Sequence, residues 1–388
     1  MKYELIAPCH FGLESCTRRE LTDLGMEILE VSDGRVCFAG DERAVCRANV
    51  FLRTAERILL KVCEFQALSW EELFDRTYAI PWEEYLPWNA RFWVAKAASV
   101  KSQLFSPRDF QTIIQKAIVK RLQKAYHREG ISLPMDGPSY ALRVTALKDL
   151  ITIGIDTSGE SLHKRGYRRL TVRAPITETL AAALLMLTPW KPDRILVDPF
   201  CGSGTFCIEA AMMAAGIAPG MERNFAATSW QNLIARQLWY DAYDEARELK
   251  RDRASRMPET DIQGYDIDPE AIRAARGNAA LAGVGELIHF QTREVAGLSH
   301  PKKYGFLITN PPYGERLEEK EDLPEIYTQL GERFAALDSW SMYVITAWEE
   351  AERYLGRKAA RNRKVYNGMM KAYFYSYPGA KPPERNRA

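Results

Sequence analysis

No hydrophobic run in the chain approaches the roughly 20 residues that span a bilayer. Nor does the opening MKYELIAPCH carry a basic stretch followed by an apolar one. A cytoplasmic protein without a membrane partner is therefore expected. Cysteine is sparse, with seven residues at 9, 16, 37, 46, 63, 201 and 207 and no Cys-x-x-Cys pair. An odd number without paired spacing argues against a disulfide framework, and the five histidines do not cluster with the cysteines at metal-ligand spacing. Free thiols and no metal are expected. A surplus of one charge is also missing, the net being +2 over 388 residues.

What is present is an ordinary globular composition, 46% hydrophobic and 27% charged, long enough for two or three domains. The charge is unevenly placed. Residues 1–100 hold twelve Lys/Arg against sixteen Asp/Glu, whereas residues 101–173 hold fourteen against six, so a polyanion would meet the second segment. Residues 1–65 read as a small α+β unit, with strands YELIAP and GRVCFAG interleaved with helical patterns over 13–24 and 41–53. Residues 66–160 repeat the mixture: a helix over 70–78, strand RFWVAKAAS, a long helix, then strands YALRVTALK and LITIGIDTS. The long helix is well marked, with Ser106 as cap, Pro107 in the first turn and Asp109 three residues after the cap. Phe110, Ile113, Ile114, Ala117, Ile118 and Leu122 form its inner stripe. Lys116, Lys120 and Lys124 recur every fourth residue on another face, a ridge that can lie along phosphates; a merely solvated face is the competing reading.

From Pro175 helices alternate with apolar strands, as in APITETLAAALLML, RILVDPF, TFCIEAAMMAAG and DIQGYDID, the pattern of a parallel sheet covered on both faces. Near the end, KVYNGMMKAYFYSY holds Asn367-Gly368 between two strand-like runs, which predicts a tight hairpin and an antiparallel finish to the sheet. The stretch 219–258 reads as a helical insertion with no chemistry of its own.

Three motifs carry chemistry. In Asp198-Pro199-Phe200-Cys201-Gly202-Ser203-Gly204-Thr205, between a strand and a helix, the glycines let backbone approach a ligand and Ser203 and Thr205 offer hydroxyls. Asp198 can take an ammonium or a water bound to it. In Gly264-Tyr265-Asp266-Ile267-Asp268-Pro269, Asp266 can accept two ribose hydroxyls while Asp268 mainly caps the next helix. Glu294 can accept an adenine amino group, or form an exposed pair with Arg293. Asn310-Pro311-Pro312-Tyr313 follows the strand FLIT. An exocyclic base amine is a poor nucleophile because its lone pair is delocalised. The site must therefore accept its hydrogens, through the Asn310 side chain and the Pro311 carbonyl, and hold it in line with a methyl group on a turn stiffened by two prolines. Tyr313 offers a face for an extruded base. A packed Pro-Pro turn is the bland alternative. Cys9 and Cys201 do not fit a cytosine C5 mechanism, one lying far in sequence from the glycine loop and the other inside it.

DPFCGSGTFCIEAA, GYDIDPEAI and NPPYGERL together resemble the ribosomal RNA large-subunit methyltransferases that make N2-methylguanine and carry a THUMP domain. APCHFGLESCTRREL, the helix after KSQLFSPRDF and LHKRGYRRLTVRAPITETLAAALL are similar to that family as well, so the likeness spans nearly the whole chain. It implies an α/β protein: a Rossmann-like class I methyltransferase sheet with an antiparallel last strand over 161–388, preceded by a ferredoxin-like unit over 1–65 and a THUMP domain over 66–160. It further implies S-adenosylmethionine as cofactor, S-adenosylhomocysteine as product and 23S rRNA or a large-subunit precursor as partner. Donor contacts would fall on 198–205, Asp266, Ile267, Asp268 and Glu294, where the family more often has aspartate, and catalysis on Asn310, Pro311, Pro312 and Tyr313. Lys164, Arg165, Arg168 and Arg169, in the joint between the halves, are expected to share a phosphate track with the lysine ridge; a structural role for Arg165 and Tyr167 competes. Transfer RNA guanine methylation, DNA adenine-N6 methylation and a non-catalytic RNA-binding protein are the other readings.

Overall fold

The computed structural model describes residues 2–170, 176–256, 259–314 and 317–383, with backbone alone at 317–320. The first two residues of the helical run expected from Ala174, and Glu315 and Arg316 of the NPPYGERL motif, lie outside the described residues. The chain divides into two compact units. One comprises residues up to Pro8, Arg18–Leu162 and Asn224–Asp244; the other comprises Cys9–Thr17, His163–Arg223 and the chain from Glu245 onward. Among the described residues no helix is long and apolar enough to cross a membrane.

The first unit is built on a seven-stranded sheet. Its strands are β1 (Tyr3–Pro8), β2 (Glu27–Ser32), β3 (Arg35–Gly40), β4 (Leu59–Gln66), β5 (Arg91–Val100), β6 (Ser139–Leu147) and β7 (Leu150–Asp156), in the order β2-β3-β1-β4-β7-β6-β5. Only the β5–β6 pair is parallel. Two α+β units were expected here over 1–65 and 66–160; β4 pairs with β1 on one side and β7 on the other, so strands of both stretches share one sheet. The helices are α1 (Glu14–Asp23), counted in this unit from Arg18, α2 (Glu42–Phe51), α3 (Trp70–Ala79) and α4 (Pro107–Ala125). On α4 the Ser106 hydroxyl accepts the Asp109 N–H at 3.3 Å, and Phe110, Ile114, Ala117, Ile118 and Leu122 are buried as their spacing requires. Ile113, at the edge of that stripe, is only half-buried.

Half of the expected insertion belongs to this unit. Trp230 stacks on Tyr140 at 4.6 Å and donates its indole N–H to the Ser139 carbonyl, while Asn232 accepts the Tyr140 hydroxyl at 2.8 Å. Two large aromatic faces buried together, each with its polar tip satisfied, make residues 224–244 part of the first core although they lie far along the chain.

The second unit holds β8 (Leu196–Asp198), β9 (Ile262–Asp266), β10 (Ile288–Thr292), β11 (Phe306–Thr309), β12 (Ser341–Thr346), β13 (Arg361–Asn367) and β14 (Met370–Tyr377), ordered β10-β9-β8-β11-β12-β14-β13. Helices α5 (Glu178–Leu187), α6 (Thr205–Ala214), α8 (Pro269–Leu281), α9 (Leu317–Ala336) and α10 (Ala351–Tyr354) belong to it as well, with α7 (Arg236–Arg256) counted here from Glu245 and in the first unit up to Asp244. Strands β8 to β12 are parallel, with Val197, Leu307 and Val344 buried in the core. Strand β14 runs antiparallel to both its neighbours, the finish that the Asn-Gly pair predicts. The turn itself falls one residue later than expected: Asn367 pairs with Met370, and Gly368 at φ 62° with Met369 forms the loop. From β8 the strand order runs outward in both directions, to β9 and β10 on one side and to β11 and β12 on the other. Loops leaving the carboxyl ends at such a reversal splay apart and open a crevice.

Candidate active site

The crevice is a cavity of about 940 Å³, walled by the loop after β8, the end of β9, the turn after β10, the residues after β11 and one face of α9. Asp198, Pro199, Phe200, Gly202, Ser203, Thr205, Asp266, Ile267, Asp268 and Glu294 all line it, as do Asn310 and Pro312. Sequence positions more than a hundred residues apart thus meet in one space.

The glycine loop has its shape for two reasons. Gly202 at φ 51° lets its N–H point to the Asp266 carboxylate, 2.9 Å away. Gly204, at φ 87°, is not part of the cavity wall. It caps α6, and a Cβ there would meet Phe290 at 3.0 Å and Ala275 at 3.1 Å, so its role is to seat the helix against β10 and α8. The Ser203 hydroxyl is buried without a hydrogen-bond partner, an orphan group at the wall of a polar cavity.

Asp198 is 2% exposed. It accepts the Thr309 hydroxyl at 2.6 Å and the Phe200 N–H at 3.1 Å, tying the glycine loop to the strand that carries Asn310. Burial pushes its carboxyl up to about 7, and the neighbouring Asp266 adds to the rise, while the Thr309 and Phe200 hydrogen bonds oppose it. Asp266, half-buried, is raised for the same leading reason, against the N–H groups of Asp268 and Gly202. Asp268 caps α8, accepting the Glu270 N–H at 2.8 Å, with Pro269 next. Glu294 is exposed at the rim, and Arg293 does not pair with it: its guanidinium lies 5.2 Å over the Tyr265 ring and donates to the Gly297 carbonyl and Ser299.

In the turn after β11, the Tyr313 hydroxyl donates to Asn310 Oδ1, and the buried Tyr327 hydroxyl donates to the Pro312 carbonyl at 3.2 Å. Pro311 and Tyr313 were expected at the reacting group but do not line the cavity. Pro311 is buried, and Tyr313 acts here as a partner that orients Asn310. Cys201 is buried with its thiol pushed well up by burial, unsuited to nucleophilic use.

The opposite wall, Asp322, Glu325, Ile326 and Gln329 on α9, was missed from sequence. Its spacing of three, four and seven residues from Asp322 puts all four on one helix face, a signal available once the helix is assigned. Gln329 donates to Glu325 at 2.9 Å, so the face is held as a unit.

The basic residues divide. Lys116, Lys120 and Lys124 are exposed in a row on α4, with Lys120 lying 5.6 Å over the Phe74 ring. In the joint, Lys164 and Arg169 are exposed, but Arg165 and Arg168 correct the expectation. The Arg165 guanidinium is 1% exposed and faces Glu209 at 3.4 Å, where the Tyr167 hydroxyl also donates. Arg168 pairs with Glu178 at 3.3 Å and donates to the Ile176 carbonyl and the Thr205 hydroxyl. Both cations are consumed inside the unit by carboxylates on α5 and α6, because an unpaired buried charge is prohibitive.

Three comparisons bear on identity. Residues 165–375 match the family described as RMKL-like, methyltransferase domain; residues 4–59 match the RlmL ferredoxin-like domain and residues 67–156 the THUMP domain. The chain is 43% identical over its whole length to "Putative RNA methyltransferase YpsC" of Bacillus subtilis, covering 98% of that protein. It is 34% identical, over 94% of its length, to "Ribosomal RNA large subunit methyltransferase K/L" of Syntrophotalea carbinolica, of which it spans about half, 52%. Two similar solved structures are a "predicted N6-adenine-specific DNA methylase" from Listeria monocytogenes (43% identity, TM-score 0.90, 98% of this chain and 97% of that one) and "SMU.472, a putative methyltransferase complexed with SAH" (40% identity, TM-score 0.91, 98% and 99%). With a sequence match across the catalytic half and a full-length relative at this identity, the chain belongs to the RMKL-like methyltransferase family, with RlmL ferredoxin-like and THUMP domains ahead of its catalytic domain.

Proposed function

We propose that the protein transfers a methyl group from S-adenosylmethionine to the exocyclic N2 amine of a guanine in large-subunit ribosomal RNA. The observation that carries this reading is that Asn310 opens into the same cavity as the Asp198–Thr205 loop and Asp266. The residues present fit the donor. A buried, partnerless Ser203 hydroxyl, two carboxylates at adjacent strand ends and a backbone close approach at Gly202 offer acceptors for an ammonium and ribose hydroxyls and donors for a carboxylate. When bound there, S-adenosylmethionine supplies an electrophilic methyl group.

The chain's own residues then do three things. Asp198 in its ionised form receives the donor's ammonium, and Asp266 keeps lone pairs for ribose hydroxyls while holding Gly202. Asn310 Oδ1 exchanges the Tyr313 hydroxyl for an N–H of the base, on the cavity wall that Pro312 continues. A carboxamide is too weak a base to remove the proton, so Asn310 aligns the amine; the methylated, cationic nitrogen sheds its proton to water after the transfer. Lys116, Lys120 and Lys124 on α4 and Arg169 in the joint are among the exposed cations that can meet phosphates. RNA is favoured over DNA by the THUMP domain, and ribosomal over transfer RNA by the RlmL ferredoxin-like domain and by the name of the K/L relatives, of whose length this chain spans about half.

Asn310→Ala is expected to lower methyl transfer by about 10²-fold or more, the typical effect of one positioned polar group, with donor affinity by calorimetry unchanged. Near wild-type turnover would sink the assignment of Asn310. Mass spectrometry of RNA from a deletion strain identifies the missing nucleotide; loss of a transfer RNA methylguanine, or of N6-methyladenine in DNA, would replace the substrate named here.

A further inference from the structure

The sequence holds a charge run that none of the motifs uses. Between residues 353 and 383 there are eight Lys/Arg, at 353, 357, 358, 361, 363, 364, 371 and 381, and no Asp or Glu, in a chain whose net charge is only +2. Four of the eight lie on the β13–β14 hairpin, and Arg361, Arg363, Lys364 and Lys371 have no carboxylate within ion-pair distance among the described residues. Arg363 donates to the Gly12 carbonyl, and Lys364 and Lys371 lie 5.2 and 5.0 Å over the rings of Tyr366 and Tyr373.

Register sets where this hairpin reaches. Thr309, the residue before Asn310, pairs with Val344, Val344 with Tyr375, and Tyr375 with Asn362. Strand β13 runs in the same direction as β11, so its remaining residues, Arg363 to Asn367, continue past the level at which Asn310 leaves the sheet. Five residues at about 3.3 Å each carry the tip about 16 Å beyond that level, and three strand spacings set it about 14 Å to one side. Strand β12 ends at Thr346, level with Lys364, so beyond this point the hairpin is a two-stranded arm without its inner neighbour. On this arm Lys364 and Lys371 supply phosphate attraction beside half-buried tyrosine rings, Tyr366 resting edge-on against Phe11 at 6.0 Å and Tyr373 beside Tyr375 at 6.1 Å, a mix of cation and aromatic suited to single strands.

We propose that the β13–β14 arm, through Lys364 and Lys371 and the tyrosines beneath them, grips single-stranded RNA flanking the nucleotide held at Asn310. The inference rests on the RNA reading of the catalytic site and adds a contact surface within the catalytic unit. Basic side chains on an edge strand also repel a second copy of the same edge, which argues against strand addition as the use of this surface.

The test uses the full chain with a fluorescein-labelled single-stranded RNA of mixed sequence, titrated by anisotropy across a range of salt. For Lys364→Gln/Lys371→Gln the log–log salt slope is expected to become shallower by about 1.4, from about 0.7 for each of two lost single-strand contacts. Adenosylmethionine affinity and melting temperature should stay unchanged, and Lys364→Arg/Lys371→Arg should keep the wild-type slope. A wild-type slope in the Gln variant overturns the arm while leaving the RNA reading intact. Failure of the wild-type protein itself to bind RNA overturns both. A change in oligomeric mass by light scattering, with RNA binding unaltered, would make the arm a contact between copies instead.

Discussion

The carboxyl of Asp198 can be made to report on donor binding through pH. At 2% exposure its carboxyl lies at about 7, against an ordinary value of 3.8. A carboxyl raised by folding contributes its stability fully below its unfolded value and loses it as pH rises through the folded value. A shift of about three units corresponds to about 4 kcal/mol of folding stability lost from acid to neutral pH. The isosteric Asp198→Asn keeps an oxygen for the Thr309 hydroxyl and the Phe200 N–H but cannot ionise. The variant should therefore melt higher than the wild type at pH 8, with the difference vanishing toward pH 4. Donor binding should move the opposite way. If the ionised carboxylate receives the ammonium, the competent fraction rises from about one tenth at pH 6 to about nine tenths at pH 8, so affinity should rise about tenfold, or about 1.4 kcal/mol. Calorimetry with adenosylmethionine at both pH values, on both proteins, checks this, and the variant subtracts any titration of the ligand itself. Equal pH dependence in wild type and Asp198→Asn would refute the ammonium role, and a lower melting point for the variant at pH 8 would refute the desolvation argument.

Gly204→Ala forces a side chain onto a backbone at φ 87° and into contact with Phe290 and Ala275; a loss of about 1–2 kcal/mol in melting experiments is expected, with weaker donor binding as the loop shifts, and an unchanged protein would place no strain there. Arg165→Ala leaves Glu209 buried opposite no guanidinium and should cost about 3–5 kcal/mol of stability, while the RNA salt slope stays as in the wild type; a shallower slope with unchanged melting would return Arg165 to the phosphate-binding role expected of it from sequence.

What local chemistry encodes was legible in the sequence. The caps at Ser106 and Asp268, the helical and strand runs on either side of the glycine loop, the position of Asn310 after a buried strand and the antiparallel finish all depend on residues a few positions apart. Spacing within one element is enough for such features, since helix and strand periods are fixed by the backbone. What depended on distant partners was not legible. A structural role for Arg165 was one of two readings open from sequence and none was offered for Arg168; the carboxylates of Glu209 and Glu178, brought by α6 and α5, decide that both are taken up inside the unit. No strand was read from sequence over 59–66, yet β4 there pairs with strands of both expected units and joins them in one sheet. Residues 224–244 read as an insertion of the catalytic half, and two buried tryptophans assign them to the first core. The α9 wall and the reach of the β13–β14 arm follow from packing and from register summed across three strands, quantities that no single segment carries. Sequence determined the chemistry each segment could offer; tertiary pairing decided which side chains face a ligand, because burial and register are properties of contacts between segments rather than of any segment alone.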